Sequence, residues 1–147
     1  MQCCHYFAQP MREQGRGGLL LVNSAAYYGG ANFLTTYSAI KAFDLCFAEG
    51  LWGELRGYGI DVLSMVLSQT DTPAYRKLHT ENGASIPANL ASPADVAAIG
   101  LAQLPHGPVY NWGQTNDVAG FAPSSPDMRR ARILMIDERR HATFADK

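Results

Sequence analysis

"LLLVNS", Leu19–Ser24, decides the fold. It is a short, continuous apolar run entered from the glycines of "GRGG", Gly15–Gly18, and ended by two polar residues. Such a run suits a strand buried on both faces, as in a parallel sheet, rather than a half-exposed strand with alternating side chains. A second run of the same kind, "IDVLSMVL", spans Ile60–Leu67 and follows the glycines of "GYG", Gly57–Gly59. Between the two lies a pattern of helical length, predicted over about Thr35–Leu55, with Thr35 or Thr36 as its cap. Strand, helix and strand make a βαβ unit with a right-handed crossover.

The outer segments extend the same α/β pattern. Met1–Glu13 reads as the end of a helix closed by the glycines that follow. "AAYYGGANFL" reads as a loop, "TPAYRKL" as a short helix and "TENGASIPANLA" as a mobile loop. Ser92–Leu104 reads as a helix with proline in its first turn, and "GPVYNWG" as a short third strand. A last amphipathic helix is expected over about Ser125–His141. No internal repeat or low-complexity segment is visible.

Composition narrows the function classes. The chain has 147 residues, 47% of them hydrophobic and 17% charged, with a net charge of -1. That is one globular domain with enough residues to bury a core. Near-neutral charge gives no reason to expect nucleic acid or an anionic membrane as partner. The apolar runs are too short to span a bilayer, and the N-terminus lacks the basic and apolar order of a signal peptide. Cys3, Cys4 and Cys46 do not form a disulfide framework, which suits a reducing cytoplasm. "CCH", Cys3–His5, crowds its ligands too closely for one tetrahedral metal site, so no metal is expected.

The residues with chemistry gather around the βαβ unit. In "TTYSAIKAF", Thr35–Phe43, Tyr37 and Lys41 stand four apart and share a helix face. A free tyrosine titrates at about 10, and a fixed cation nearby favours the phenolate. The pair then suits acid/base work on a carbonyl or alcohol. Taken alone, it reads as well as an interfacial tyrosine beside a snorkelling lysine. Ser24 changes the weighing, because the carboxyl end of a strand is where an α/β sheet places its chemistry. Thr70 and Thr72, in "LSQTDTP" after the second strand, lie at the same edge. Tyr27 and Tyr28 line a substrate pocket or simply pack in their loop. "RRARILMIDERR" mixes both signs and reads as a solvated helix face, and His106 as a turn residue. Ser68, Asp71 and His79 lack the G-x-S-x-G elbow of a hydrolase triad.

The run "GRGGLLLVNSAAYYGG…TTYSAIKAF…LWGELRGYGIDVLSMVLSQTDTP" resembles the short-chain dehydrogenase/reductase family. The likeness is strong over about Met1–Pro73 and looser through Gly113. It implies the C-terminal part of a Rossmann-like, doubly wound parallel sheet. The catalytic half would cover about 1–113, with a helical extension over about 114–147. It also implies NAD or NADP as cofactor and a small carbonyl or secondary alcohol as substrate. Tyr37 would be the acid/base and would also lie against the cofactor, and Ser24 would orient the substrate oxygen. Lys41 would hold the nicotinamide ribose, and Thr72, with Thr70 beside it, would meet the carboxamide.

Two departures accompany the resemblance. Leu67 and Ser68 replace the family's Pro-Gly. The N-terminal, dinucleotide-binding half and the asparagine that completes the catalytic set are expected upstream of Met1, so the chain alone is expected to bind little nicotinamide. The resemblance further implies a homodimer or homotetramer built through the Thr35–Leu55 helix, with Phe47 and Leu51 at the seam. An alternative of a different class is a non-catalytic remnant that acts only through subunit association.

Overall fold

The computed structural model describes residues 1–67 and 69–112. The expected helix at 125–141 and the extension over 114–147 lie outside the described residues, as does Ser68. Three parallel strands, β1 (Gly17–Ser24), β2 (Ile60–Leu67) and β3 (Val109–Asn111), lie in the order β1-β2-β3. Helix α1 (Gln2–Gln14) precedes β1, and α2 (Thr35–Leu55) crosses from β1 to β2. Helices α3 (Pro73–Glu81) and α4 (Pro93–Gln103) fill the second crossover.

The strand nature of β2 follows from its burial. Val62, Leu63, Ser64, Met65 and Val66 are all at most 1% exposed, so both faces of the central strand are covered. On one face Ala8 of α1 and Leu55 of α2 pack with Leu19, Ile60 and Val62. On the other, α4 approaches so closely at Gly100 that a Cβ there would meet Met65 and Leu20. Helices on both faces of a parallel sheet define the doubly wound class.

Several local expectations change. The cap of α2 is Leu34, with no side-chain hydrogen bond; Thr35 already lies inside the helix, and Phe33, at φ 60°, makes the turn into it. Residues Ala25–Tyr28, expected as open loop, form a 3-10 helix capped by Ser24. Leu51, expected at the seam, is half-buried and packs against the core cluster. The apolar stripe that α2 leaves outward contains Ile40 and Phe43, with the Phe43 and Phe47 rings stacked at 5.7 Å.

One sheet edge bears on the site. Ser64 donates its N–H to Pro108 O, and Trp112 donates its N–H to Val66 O, so the even residues of β2 face β3 and the odd ones face β1. With Val22 opposite Met65, the main-chain groups of Gly18, Leu20, Val22 and Ser24 then point to the outer side of β1. No described strand pairs there.

Candidate active site

Ser24, Leu67 and Asn111 stand at the carboxyl ends of the three strands. Ser24 is paired with Leu67 across β1 and β2, and Asn111 ends β3 opposite Val66. Ser24 closes β1 in extended backbone and its Oγ accepts the Ala26 N–H at 3.2 Å. The hydroxyl keeps its own proton to donate. The 3-10 helix that Ser24 caps packs on α2, and it carries Tyr27 and Tyr28 with their rings stacked at 4.1 Å.

On α2, Tyr37 is 44% exposed and Lys41 lies one turn on, its Nζ 5.9 Å from the centre of the Tyr37 ring. The ammonium donates to Val22 O at 3.2 Å, on the outer edge of β1, and to Asp44 Oδ2 at 3.1 Å. The lysine thus ties the helix to the strand that ends in Ser24.

Asn23, absent from the sequence-based candidates, secures this arrangement. It is 2% exposed, and its amide donates to Lys41 O and to Ser64 Oγ, each at 3.2 Å. Its Oδ1 accepts the Ser24 N–H at 2.7 Å. One buried side chain therefore fixes the backbone of Ser24, the backbone of Lys41 and the central strand. A single amide ending an apolar strand was the available signal, since a buried amide is retained only when its hydrogen bonds are met.

Beyond β2, Thr72 caps α3 by accepting the Tyr75 N–H at 3.1 Å, which leaves the hydroxyl proton free to donate. Thr70 pairs with Ala91 in an isolated bridge that closes the base of the α3 segment. Its Oγ1 is buried without a hydrogen-bond partner among the described residues, as are Tyr75 OH and Asn111 Oδ1. Buried polar atoms usually find partners, so these three stand out among the described residues. Burial pushes the Tyr75 phenol up from its ordinary value. Among the described residues no cluster of three or more metal-ligating side chains occurs, and no helix is long and apolar enough to cross a membrane.

Asp71 and Arg76, which flank Thr72 in sequence, are joined by two hydrogen bonds, the Nη2 to Oδ2 bond at 2.7 Å. The Arg76 hydrogen bond holds the Asp71 carboxyl below its ordinary 3.8. A depressed carboxylate contributes stability above its unfolded value, lost as pH falls through the folded one. The thermal-midpoint gap between wild type and Asp71→Asn should therefore be present at about pH 6 and close below about pH 3.8. Added salt should narrow it, because the pair is exposed.

Three comparisons bear on this geometry. No family model matches the sequence. A 7beta-hydroxysteroid dehydrogenase from Clostridium sardiniense is 26% identical over 112 residues, covering 76% of this chain and 42% of that protein. A solved structure from work on 7beta-hydroxysteroid dehydrogenase stereoselectivity superposes with a TM-score of 0.69 at 22% identity, over 88% of this chain and 52% of that one. A short-chain dehydrogenase from Sphingobium yanoikuyae, in complex with NADPH, gives 0.60 at 20% identity, over 95% and 49%. The chain thus spans about half the length of the relatives it matches, and the two structures share its fold. By sequence the chain is similar to a 7beta-hydroxysteroid dehydrogenase, and its fold is shared with a short-chain dehydrogenase, in each case over about half of that protein's length.

Proposed function

We propose that the protein is an NAD(P)-dependent oxidoreductase that interconverts a carbonyl and a secondary alcohol, with Tyr37 as the acid/base. The observation that carries this reading is the place of Lys41. Its ammonium lies beside the Tyr37 ring and is bonded to the strand whose last residue is Ser24. This reading puts a phenol, a cation and a hydroxyl on one rim at the carboxyl ends of parallel strands.

Each group has a role that its free valence permits. Ser24 donates its hydroxyl proton to the substrate oxygen and fixes its position. Tyr37 gives its phenolic proton to that oxygen in reduction, or takes one in oxidation. The positive charge of Lys41 stabilises the negative charge that develops on the phenol oxygen as the proton leaves. A nicotinamide cofactor, when bound, supplies or receives the hydride. The chain's residues suited to hold it are Lys41, whose ammonium has a third N–H beyond the two in use, and Thr72, with a free hydroxyl proton. Thr70, whose buried hydroxyl has no partner among the described residues, fits the same group. The relatives' names favour a hydroxysteroid as the first substrate to try.

Association through the outward stripe of α2 and a cytoplasmic setting belong to the same proposal. The exposed Phe43 and its stacked neighbour Phe47 support the former.

The full gene product, offered NADH or NADPH with 7-oxo steroids and simpler ketones, should consume reduced cofactor in step with alcohol formation. No consumption with any carbonyl, in a folded sample, would favour the non-catalytic reading.

A further inference from the structure

The Lys41–Asp44 pair has an order that does little for the helix itself. In a helix, an acidic residue placed before a basic one is the favourable sense, since it also suits the helix dipole. Here lysine precedes aspartate at i, i+3, and the two side chains are 19% and 30% exposed. The pair is also not isolated, because the same Nζ donates to Val22 O on the outer edge of β1. An ammonium has three N–H donors. Two are taken by Asp44 and by Val22, so the third has one remaining direction, set by those two acceptors. The backbone of Lys41 is itself fixed, its carbonyl accepting from buried Asn23. Both ends of the lysine are therefore held, the carbonyl by Asn23 and the ammonium by Asp44 with an edge carbonyl.

We propose that Asp44 is a positioning residue: with Val22 O it forms a two-acceptor holder that fixes the Lys41 ammonium beside Tyr37 and aims its free N–H at the ligand. The ligand part rests on the oxidoreductase reading above; the holder does not. Without Asp44 the long lysine stem regains its rotamers, and the ammonium spends part of its time in solvent.

The test has two arms on the full gene product. In the first, lysine-selective proton–nitrogen NMR follows the exchange of the ammonium protons with water. The sequence has three lysines, Lys41, Lys77 and Lys147, so Lys41→Arg assigns the signal. Asp44→Asn should speed Lys41 exchange roughly three-fold or more, the scale of one partly exposed charge pair, and leave Lys77 unchanged. Asp44→Glu, which keeps the charge, should restore part of the protection. Unchanged Lys41 exchange in Asp44→Asn would overturn the holder.

In the second arm, Asp44→Asn should raise the KM for the nicotinamide cofactor several-fold and lower kcat as well, because the Lys41 ammonium leaves both the ligand and Tyr37 for part of the time. An unchanged KM with a lower kcat would overturn the aiming of the third N–H. If wild type shows no turnover, the oxidoreductase reading fails by itself, and the exchange arm alone decides the holder.

Discussion

Tyr37→Phe in the full gene product should lower turnover by roughly a hundred- to ten-thousand-fold, the range for losing a positioned general acid or base. The substitution removes one hydroxyl from a side chain that is 44% exposed, so fold and thermal midpoint should hardly change. Cofactor affinity should stay within about two-fold, because Lys41, Thr70 and Thr72 are untouched and the Tyr37 ring itself is kept. Steady-state kinetics with a binding measurement on the same sample checks both halves. Turnover near that of wild type would remove Tyr37 from the chemistry, and a large loss of cofactor affinity would make it a binding residue instead.

Gly59→Ala should destabilise the fold by about 3 kcal/mol or more, enough to threaten a domain of ordinary stability. Gly59 has φ 72° and caps the 3-10 turn that feeds β2. Left-handed backbone alone costs an alanine about 1–2 kcal/mol. In addition, the new Cβ would run into the backbone carbonyl oxygen of Gly15, which is the left-handed cap of α1. Two helix ends therefore abut where a side chain has no room. Gly15→Ala supplies the control: its φ is 67°, but no atom lies within 4 Å of the added Cβ. It should cost only the left-handed penalty. Urea unfolding of both variants separates the two contributions. Equal losses would show that conformation, not the close approach, governs this junction.

The frame of the fold was readable because its cause is local. Residues 60–67 are a mostly apolar run, broken by Asp61 and Ser64, between a left-handed glycine and polar residues, and β2 is buried on both faces over 62–66. Helix α2 likewise keeps the limits that its length and glycine boundary suggest. What the helix faces was less readable. Apolar residues run nearly all round it, so periodicity does not decide its rotation. Leu51 turns to the core with Trp52, while Phe43 turns outward. The cap was misread for a related reason: a threonine can stand at the cap or in the first turn, and the turn at Phe33 decides which.

At the proposed site, spacing put Tyr37 and Lys41 on one helix face, and the structure has the Lys41 ammonium 5.9 Å from the Tyr37 ring centre. The partners of Lys41 were not visible in the same way. Val22 O is a main-chain atom, and its direction depends on which side of β1 receives β2. Asp44 reads in sequence as one more surface charge until the lysine bends back to it. Asn23 joins Lys41 and Ser64, 18 and 41 residues away, a relation that only the assembled sheet creates.

The most direct measurement of the central claim follows the hydride itself. The full gene product is given nicotinamide cofactor carrying deuterium at the reactive carbon, with a ketone, and the alcohol formed is weighed by mass spectrometry. The account predicts one deuterium on the carbinol carbon of each product molecule, at a rate that collapses in Tyr37→Phe. Alcohol formed without deuterium from either face of the cofactor would contradict it, as would transfer that proceeds equally well without the Tyr37 hydroxyl.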